Sequence, residues 1–200
     1  DLGLGDRVAI VAAASRGLGK ACAMELAREG ARVVICARNE DELMATVEEI
    51  RGATGADVRY LVVDLTDDAQ IRHLADETLR RYGRIDVLVT NNGGPPPGYF
   101  EDLDDAAFQT GHERTLLSAV RLIRSVLPAM RLQKWGRIVN ITSSAVKAPI
   151  DILGLSNGAR SGLTGFVAGV ARSPLAAQGV TINNLLPGYF ETDRIAGVHF

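Results

Sequence analysis

Short apolar runs alternate with longer segments of helical spacing along almost the whole chain. The apolar runs predict six strands, at residues 8–12, 33–36, 58–63, 85–90, 137–141 and 180–185. The segments between them predict helices at residues 17–29, 40–51, 67–82, 104–132, with a break near Gly111, and 156–178. The order of elements is therefore strand, helix, strand throughout.

The predicted strands are apolar on both faces, which indicates a parallel sheet covered by helices on both sides. The fold class is therefore α/β, with a doubly wound parallel sheet of the Rossmann type. Ligands of such sheets bind beyond the carboxyl ends of the strands. No linker or repeat divides the chain, so residues 1–200 are expected to form a single domain. A further helix and strand would be expected after the sixth strand, so the C-terminal part of the fold is expected to be absent from this sequence.

The composition changes this picture little. Apolar residues make up 46% and charged residues 23% of the chain, and the net charge is -2, so no excess of positive charge favours nucleic acid or an anionic membrane. No apolar stretch reaches the roughly 20 residues of a transmembrane helix. No basic segment followed by an apolar one starts the chain, so a cytoplasmic location is expected.

The cysteines and histidines suggest neither disulfides nor metal. Cys22 and Cys36 both lie in apolar patterns, so two buried thiols are expected. His73, His112 and His199 are scattered, with no spacing typical of metal ligands, so we expect no metal site.

Glycine-rich or polar segments follow three of the predicted strands. They are residues 12–19 (AAASRGLG), 91–94 (NNGG) and 186–192 (LPGYFET). Their order and spacing resemble the TGxxxGxG, NNAG and PG-x-x-x-T signatures of the short-chain dehydrogenase/reductase family, in particular its members of the 3-oxoacyl-carrier-protein reductase kind. The resemblance covers essentially the whole chain. It implies a dinucleotide-binding domain and the interconversion of a carbonyl and an alcohol by hydride transfer.

The glycine-rich segment has a direct physical interpretation. Gly17 and Gly19 let the backbone turn tightly, so that the N–H groups at the start of the following helix face a pyrophosphate. The resemblance adds Ser15, Arg16 and Leu18 to this cofactor-binding turn. The family usually has Thr and Gly at the first two positions of the motif, where this chain has Ala12 and Ala13. The methyl group of Ala13 is expected to narrow the approach to the cofactor. The alternative is a glycine turn that serves packing only.

The charge at the end of the second strand favours NADP(H). NAD-specific members of the family place a carboxylate where this chain has Ala37, and the next residue is Arg38. A carboxylate repels the 2′-phosphate of NADP(H), whereas Arg38 and Arg16 can bind it through charge-assisted hydrogen bonds. The alternative is two solvated surface arginines, and NAD(H) stays a possible cofactor.

The resemblance implies further cofactor contacts on later segments. Asp64 and Leu65 match the pair that binds the adenine ring, although Asp64 can instead cap the helix that starts near Asp67, for which Thr66 is a better candidate. The remaining implied contacts with the cofactor come from Asn91, Gly93, Arg160, Pro187, Gly188, Phe190 and Thr192.

The positions of the family's proton-transfer residues hold other residue types. Ser143 matches the Ser that positions the substrate oxygen, but Ser156 stands at the Tyr position and Arg160 at the Lys position. Thr115 stands at the position of the Asn that supports a proton relay, by a less secure alignment. A serine hydroxyl is a far weaker acid than a phenol, and Arg does not give up its proton. Direct proton transfer of the Tyr type is therefore not supported, and ordered water would have to supply the proton.

Two functions follow from this pattern. The first is an NADP(H)-linked oxidoreductase acting on a small or acyl-carrier-bound carbonyl compound. The alternative is a non-redox nucleotide-binding or regulatory protein that keeps the fold with a degenerate active site. The resemblance also implies a homo-oligomer, a dimer or a tetramer, with contacts through the helices predicted at 104–132 and 156–178. Tyr99 and Tyr189 are placed at the ligand-binding edge, where we expect them to have a structural role.

Overall fold

A computed structural model describes residues 2–190, which form one six-stranded parallel sheet flanked by helices. The strands lie in the order β3-β2-β1-β4-β5-β6. Their bounds are β1 Val8–Ala12, β2 Arg32–Ala37, β3 Val58–Val62, β4 Val87–Thr90, β5 Gly136–Ile141 and β6 Val180–Leu185. The helices are α1 Gly17–Arg28, α2 Glu40–Thr54, α3 Asp68–Tyr82, α4 Asp105–His112, α5 Ser118–Leu132 and α6 Gly154–Ala171.

The central strand shows why the sheet is covered on both faces. All five residues of β1 are buried, and successive side chains point to opposite sides of the sheet. Ile10 and Ala12 pack into a core shared with α3, α5 and α6, whereas Ala9 and Val11 pack into a second core shared with α1 and α2. The predicted doubly wound α/β fold is therefore confirmed.

The strand order reverses between β1 and β4, which pair directly although two strands separate them along the chain. This reversal opens a crevice at the carboxyl ends of the two strands, which is the usual ligand position in such folds. Asn91, which follows β4, reaches across it and donates a hydrogen bond to the carbonyl oxygen of Ala13, at 3.2 Å. Two of the three motif segments are thus joined at the expected edge.

The structure refines the predicted helices. The predicted break in the segment 104–132 is present, just after Gly111, as a π-helical turn, Glu113–Leu117, that separates α4 from α5. The last helix ends at Ala171 rather than near Gln178, since Pro174 cannot continue an α-helix and only a short 3₁₀ turn follows it. Asp67 caps α3 by accepting the N–H groups of Ala69 and Gln70, so Thr66 is not the cap.

The cysteines lie in different environments. Cys36 is fully buried, and burial raises the pKa of its thiol to about 12. Cys22 is only half-buried, contrary to expectation, because the buried stripe of α1 runs through Gly19, Ala23 and Ala27 instead.

Among residues 2–190, no helix has the length and apolar character needed to cross a membrane.

Candidate active site

The loop after β1 presents the start of α1 to the crevice. Its backbone enters the left-handed region twice, at Ala13 (φ +47°) and at Gly17 (φ +58°). Arg16 occupies the N-cap position of α1 but makes no side-chain capping bond, whereas Asn39 caps α2 with its side chain. No acidic residue lies in the first turn of α1. The N–H groups at this helix start therefore remain available to an anion such as a pyrophosphate.

Gly19 lets this helix approach the sheet. A Cβ at this position would lie 2.5 Å from the carbonyl oxygen of Ala13 and 3.0 Å from the amide nitrogen of Asn91. Leu18 packs, half-buried, against the core on the α1 side. The close packing of α1 against the loop after β1 and against Asn91 therefore requires a glycine at position 19.

The adenosine end of the predicted site contains a carboxylate that the sequence reasoning missed. The hydroxyl of half-buried Ser15 donates a hydrogen bond to Oε2 of Glu42 at 2.8 Å. Arg16 and Arg38 are both exposed at the same end of the sheet. The only sequence signal for the missed contact is the acidic first turn of α2, which contains Glu40, Asp41 and Glu42.

Asp64 is held by its own loop. Its Oδ1 accepts the backbone N–H of Thr66 at 2.9 Å and the Thr66 hydroxyl at 2.8 Å. These hydrogen bonds lower the pKa of Asp64, and the charges of Arg38 and Arg114 lower it further. Arg114 is the second residue that the sequence reasoning missed near the predicted adenine position. Leu65, beside Asp64, packs half-buried against the core on the α3 side.

Ser156 and Arg160 form a buried pair one helical turn apart in α6. Nε of Arg160 donates to Oγ of Ser156 at 3.0 Å. Nη1 of Arg160 donates to the carbonyl oxygens of Ile141, at 3.1 Å, and Thr142, at 2.6 Å, at the end of β5. Only 5% of Ser156 and 7% of Arg160 is exposed. The guanidinium is therefore anchored at the carboxyl end of β5, where Ser143 follows in the chain.

Ser143 and Thr115 complete the predicted catalytic set in different ways. The oxygen of Ser143 accepts the N–H of Ala145 at 3.1 Å, which caps a short 3₁₀ turn and leaves its O–H able to donate to a substrate oxygen. Thr115 lies fully buried in the π-helical turn, and its carbonyl oxygen accepts a 3.4 Å hydrogen bond from Asn92. Its hydroxyl oxygen makes no hydrogen bond within the described residues.

Two loops flank this set with exposed aromatic rings. The backbone N–H of Ser144 donates to the carbonyl oxygen of Pro187 at 2.8 Å, which places the segment after β6 beside Ser143. Gly188, Tyr189 and Phe190, which follow Pro187, are exposed.

The second loop, which follows β4, carries Tyr99 and Phe100, both exposed. The N–H of Gly98 donates at 2.8 Å to the carbonyl oxygen of Ile152, just before α6. Gly93, earlier in the same loop, is also exposed, and Thr192 lies outside the described residues.

The comparisons with known proteins agree with this geometry. A family model described as short chain dehydrogenase matches residues 7–198. The chain belongs to the short-chain dehydrogenase family. The matched region includes the three motif segments, Ser156 and Arg160.

Similar proteins include biosynthetic reductases. The chain is 36% identical over 188 residues to a Streptomyces virginiae protein named as a ketoacyl reductase of the monensin polyketide synthase, covering 93% of this chain and 71% of that protein. It is 34% identical over 189 residues to the Escherichia coli 3-oxoacyl-acyl-carrier-protein reductase FabG, covering 94% of this chain and 75% of the relative. A crystal structure of a variant actinorhodin polyketide ketoreductase with NADPH superposes with a TM-score of 0.92 at 34% identity, covering 96% of this chain and 74% of that one.

Proposed function

We propose that this chain is an NADP(H)-dependent oxidoreductase that interconverts a carbonyl and an alcohol by hydride transfer. The observation that carries the proposal is the uncapped start of α1 at the β1–β4 reversal. Ala37 replaces the carboxylate of NAD-specific members, Arg38 follows it, and Arg16 lies in the glycine-rich turn. The bound cofactor supplies the hydride, and the protein supplies binding, orientation and charge. A structurally similar ketoreductase was crystallised with NADPH. The non-redox alternative is not favoured by the comparisons.

The proposal assigns roles to the chain's own residues. The start of α1 holds the pyrophosphate, Arg16 and Arg38 hold the 2′-phosphate, and Asp64 with Leu65 lies at the adenine. Ser143 and Ser156 donate hydrogen bonds to the substrate oxygen, Arg160 provides fixed positive charge, and Thr115 orders water beside them. The remaining proposed cofactor contacts are Ser15, Gly17, Leu18, Gly19, Asn91, Gly93, Arg160, Pro187, Gly188, Phe190 and Thr192.

The substrate is proposed to be a carbonyl compound, either free or bound to an acyl carrier, as the names of the ketoacyl reductase relatives suggest.

We also propose a homo-oligomer, a dimer or a tetramer, in a cytoplasmic location. The outer face of α6 supports association, because Gly165, Ala168 and Gly169 are exposed and allow close approach, and Phe166 is exposed beside them. Light scattering at micromolar concentration tests this, and a monomer contradicts it.

Calorimetry with both cofactors tests the cofactor assignment. Arg38→Ala should weaken NADPH binding by about 1.5–3 kcal/mol through the loss of a charge-assisted hydrogen bond, and should leave NADH binding almost unchanged. Arg124→Ala, an exposed arginine on α5, is the matched control and should change neither affinity. Equal affinity of the unsubstituted chain for NADPH and NADH would overturn the assignment. Absence of NADPH oxidation with a broad carbonyl panel would overturn the enzymatic proposal.

A further inference from the structure

Thr66, in the loop after β3, is held by hydrogen bonds on two sides. Its backbone N–H and its hydroxyl donate to Oδ1 of Asp64, at 2.9 and 2.8 Å. Its carbonyl oxygen accepts a hydrogen bond from Nη1 of Arg121, in α5, at 3.0 Å. The position of the Asp64 carboxylate, which is proposed to lie at the adenine, therefore depends on a side chain from another element.

The same guanidinium also holds the π-helical turn. Nη1 of Arg121 pairs with Oε1 of Glu113, the first residue of that turn. Arg121 follows Glu113 by eight residues, so this ion pair spans the whole turn. Only 22% of the Arg121 side chain and 34% of the Glu113 side chain is exposed, so salt screens the pair less than it screens a fully exposed one.

The π-helical turn also contacts the other half of the predicted site. The carbonyl oxygen of Thr115, inside the turn, accepts a 3.4 Å hydrogen bond from the side chain of Asn92, which follows β4. Leu116 packs so closely against α6 that a Cβ at Gly162 would lie 3.1 Å from its Cδ1. Because α6 carries the buried serine–arginine pair, a shift of the turn would displace both the loop after β4 and the helix of that pair.

We infer that Arg121 is a positioning residue that couples the adenosine end of the cofactor site to the π-helical turn. The inference rests on the proposed function, which places Asp64 at the adenine and Thr115 beside the substrate. In this role Arg121 touches neither cofactor nor substrate and acts through Thr66 and Glu113. An occupied adenosine end fixes the loop of Asp64 and, through the two bonds of Arg121, the turn that contains Thr115.

Arginine suits this role better than lysine does. Its planar guanidinium has several N–H donors in a fixed arrangement, so one side chain can serve a carbonyl oxygen and a carboxylate at the same time. Lysine is a single flexible charge, which should keep the ion pair with Glu113 but hold the carbonyl oxygen of Thr66 poorly. Arg121→Lys should therefore keep part of the coupling, whereas Arg121→Ala should lose it.

Calorimetry with adenosine 2′,5′-bisphosphate, which has the adenine and the 2′-phosphate but no nicotinamide, tests the adenosine side. Arg121→Ala should weaken its binding about five- to tenfold, a usual range for a residue that acts through others, and Arg121→Lys should weaken it less. In an Asp64→Ala background, Arg121→Ala should have almost no further effect, because Arg121 acts through the loop of Asp64. Arg124→Ala, an exposed arginine on α5, is the control and should leave the affinity unchanged.

Hydrogen exchange of the backbone amides of residues 112–118 tests the other side without turnover. In the unsubstituted chain, saturation with adenosine 2′,5′-bisphosphate should slow exchange in the π-helical turn severalfold, although this ligand lacks the half of the cofactor that faces the substrate. Arg121→Ala should abolish this slowing, and Arg124→Ala should preserve it. Glu113→Gln, which weakens only the bond to the turn, should reduce the slowing and leave the bisphosphate affinity almost unchanged, so the test stays decisive if Arg121→Ala folds poorly.

Two results would overturn the inference and leave the proposed function standing. The first is additive losses of affinity in the Asp64→Ala, Arg121→Ala double variant. The second is exchange in the π-helical turn that does not respond to the bound bisphosphate in the unsubstituted chain. Failure of the unsubstituted chain to bind either NADPH or the bisphosphate would overturn the proposed function as well.

Discussion

At the scale of single residues, Ala13 holds a backbone conformation that only glycine adopts easily. Its φ of +47° lies in the left-handed region, which costs a residue with a Cβ roughly 1–2 kcal/mol. The strain is located in the loop between β1 and α1, where the carbonyl oxygen of Ala13 accepts the bond from Asn91. Ala13 therefore combines a strained backbone with a methyl group that is expected to narrow the approach to the cofactor.

Ala13→Gly should therefore stabilise the chain. The relief of strain is partly offset by the greater freedom of glycine in the unfolded chain, so we expect a gain of about 0.5–1 kcal/mol in the free energy of unfolding. Urea unfolding measures it. Ala14→Gly, at the adjacent buried position with negative φ, is the control and should destabilise. A loss of stability in Ala13→Gly would contradict the explanation.

Glu42 places a negative charge beside the glycine-rich turn to which the 2′-phosphate contact of Arg16 is proposed to belong. It holds the hydroxyl of Ser15, next to Arg16 in the chain. Glu42→Gln should strengthen NADPH binding several-fold, because it removes repulsion and releases Ser15, and it should leave NADH binding nearly unchanged. Calorimetry with each cofactor measures this. Glu48→Gln, exposed on the same helix, is the control, and an equal gain for NADH would refute the charge argument.

At the scale of elements, the contact of α1 with the loop after β1 depends on one missing Cβ. Gly19 faces backbone atoms, which cannot move aside as a flexible side chain can. α6 also contains several glycines, but a Cβ at Gly165 would meet nothing within 4 Å. The glycine in α1 is therefore required by close packing, whereas the glycine in α6 is not required by packing within the chain.

Gly19→Ala and Gly165→Ala should have effects of opposite sign. The first should destabilise the fold by roughly 1–3 kcal/mol through overpacking and should weaken NADPH binding, since α1 is displaced from the crevice. The second should stabilise the single chain by up to about 1 kcal/mol, because alanine is the better helix former, and should weaken the proposed association through the outer face of α6. Thermal unfolding and cofactor titration separate the two. Equal stability changes in both variants would show that the close approach at Gly19 is not essential.

At the scale of the whole molecule, a buried carboxylate ties several elements together at the edge opposite the crevice. Asp86 accepts two hydrogen bonds from Arg84, at 2.6 and 2.7 Å, and one from the N–H of Val8 at 2.9 Å. Arg7 pairs with it at 3.2 Å. Burial by itself raises the pKa of Asp86, but the hydrogen bonds from Arg84 and Val8 and the charge of Arg84 outweigh it and hold the pKa below its ordinary value.

Asp86→Asn should reduce the free energy of unfolding by roughly 2 kcal/mol at neutral pH. This loss is smaller than the loss expected on breaking a fully buried ion pair, because Arg7 and Arg84 both reach solvent. Because the pKa of Asp86 is lower in the folded than in the unfolded chain, its carboxylate stabilises the fold at pH values above the unfolded-state pKa, near 3.9. This stabilisation is lost as the pH falls through the folded-state pKa. The difference between the two proteins should therefore shrink below about pH 4. Urea unfolding across pH measures it, with the exposed Asp76→Asn as the control. A difference that persists unchanged at pH 3 would contradict the assignment.

The sequence alone determined the α/β architecture, the parallel sheet and the positions of the motif loops. These features follow from local patterns. The strands, such as β1, have apolar side chains on both faces, and Gly17 and Gly19 stand where the turn into α1 needs glycine. The sequence also placed Ser156 and Arg160 at the Tyr and Lys positions of the family.

Only the tertiary structure decided where the side chains of the site are directed. Arg160 is anchored by the carbonyl oxygen of Thr142, and Ser15 by Glu42. The π-helical turn holds Thr115 in a buried position. Each of these contacts joins elements that are distant along the chain or depends on packing between them. Periodicity and spacing describe one segment at a time, so they place a residue at an edge of the sheet but do not select its partner.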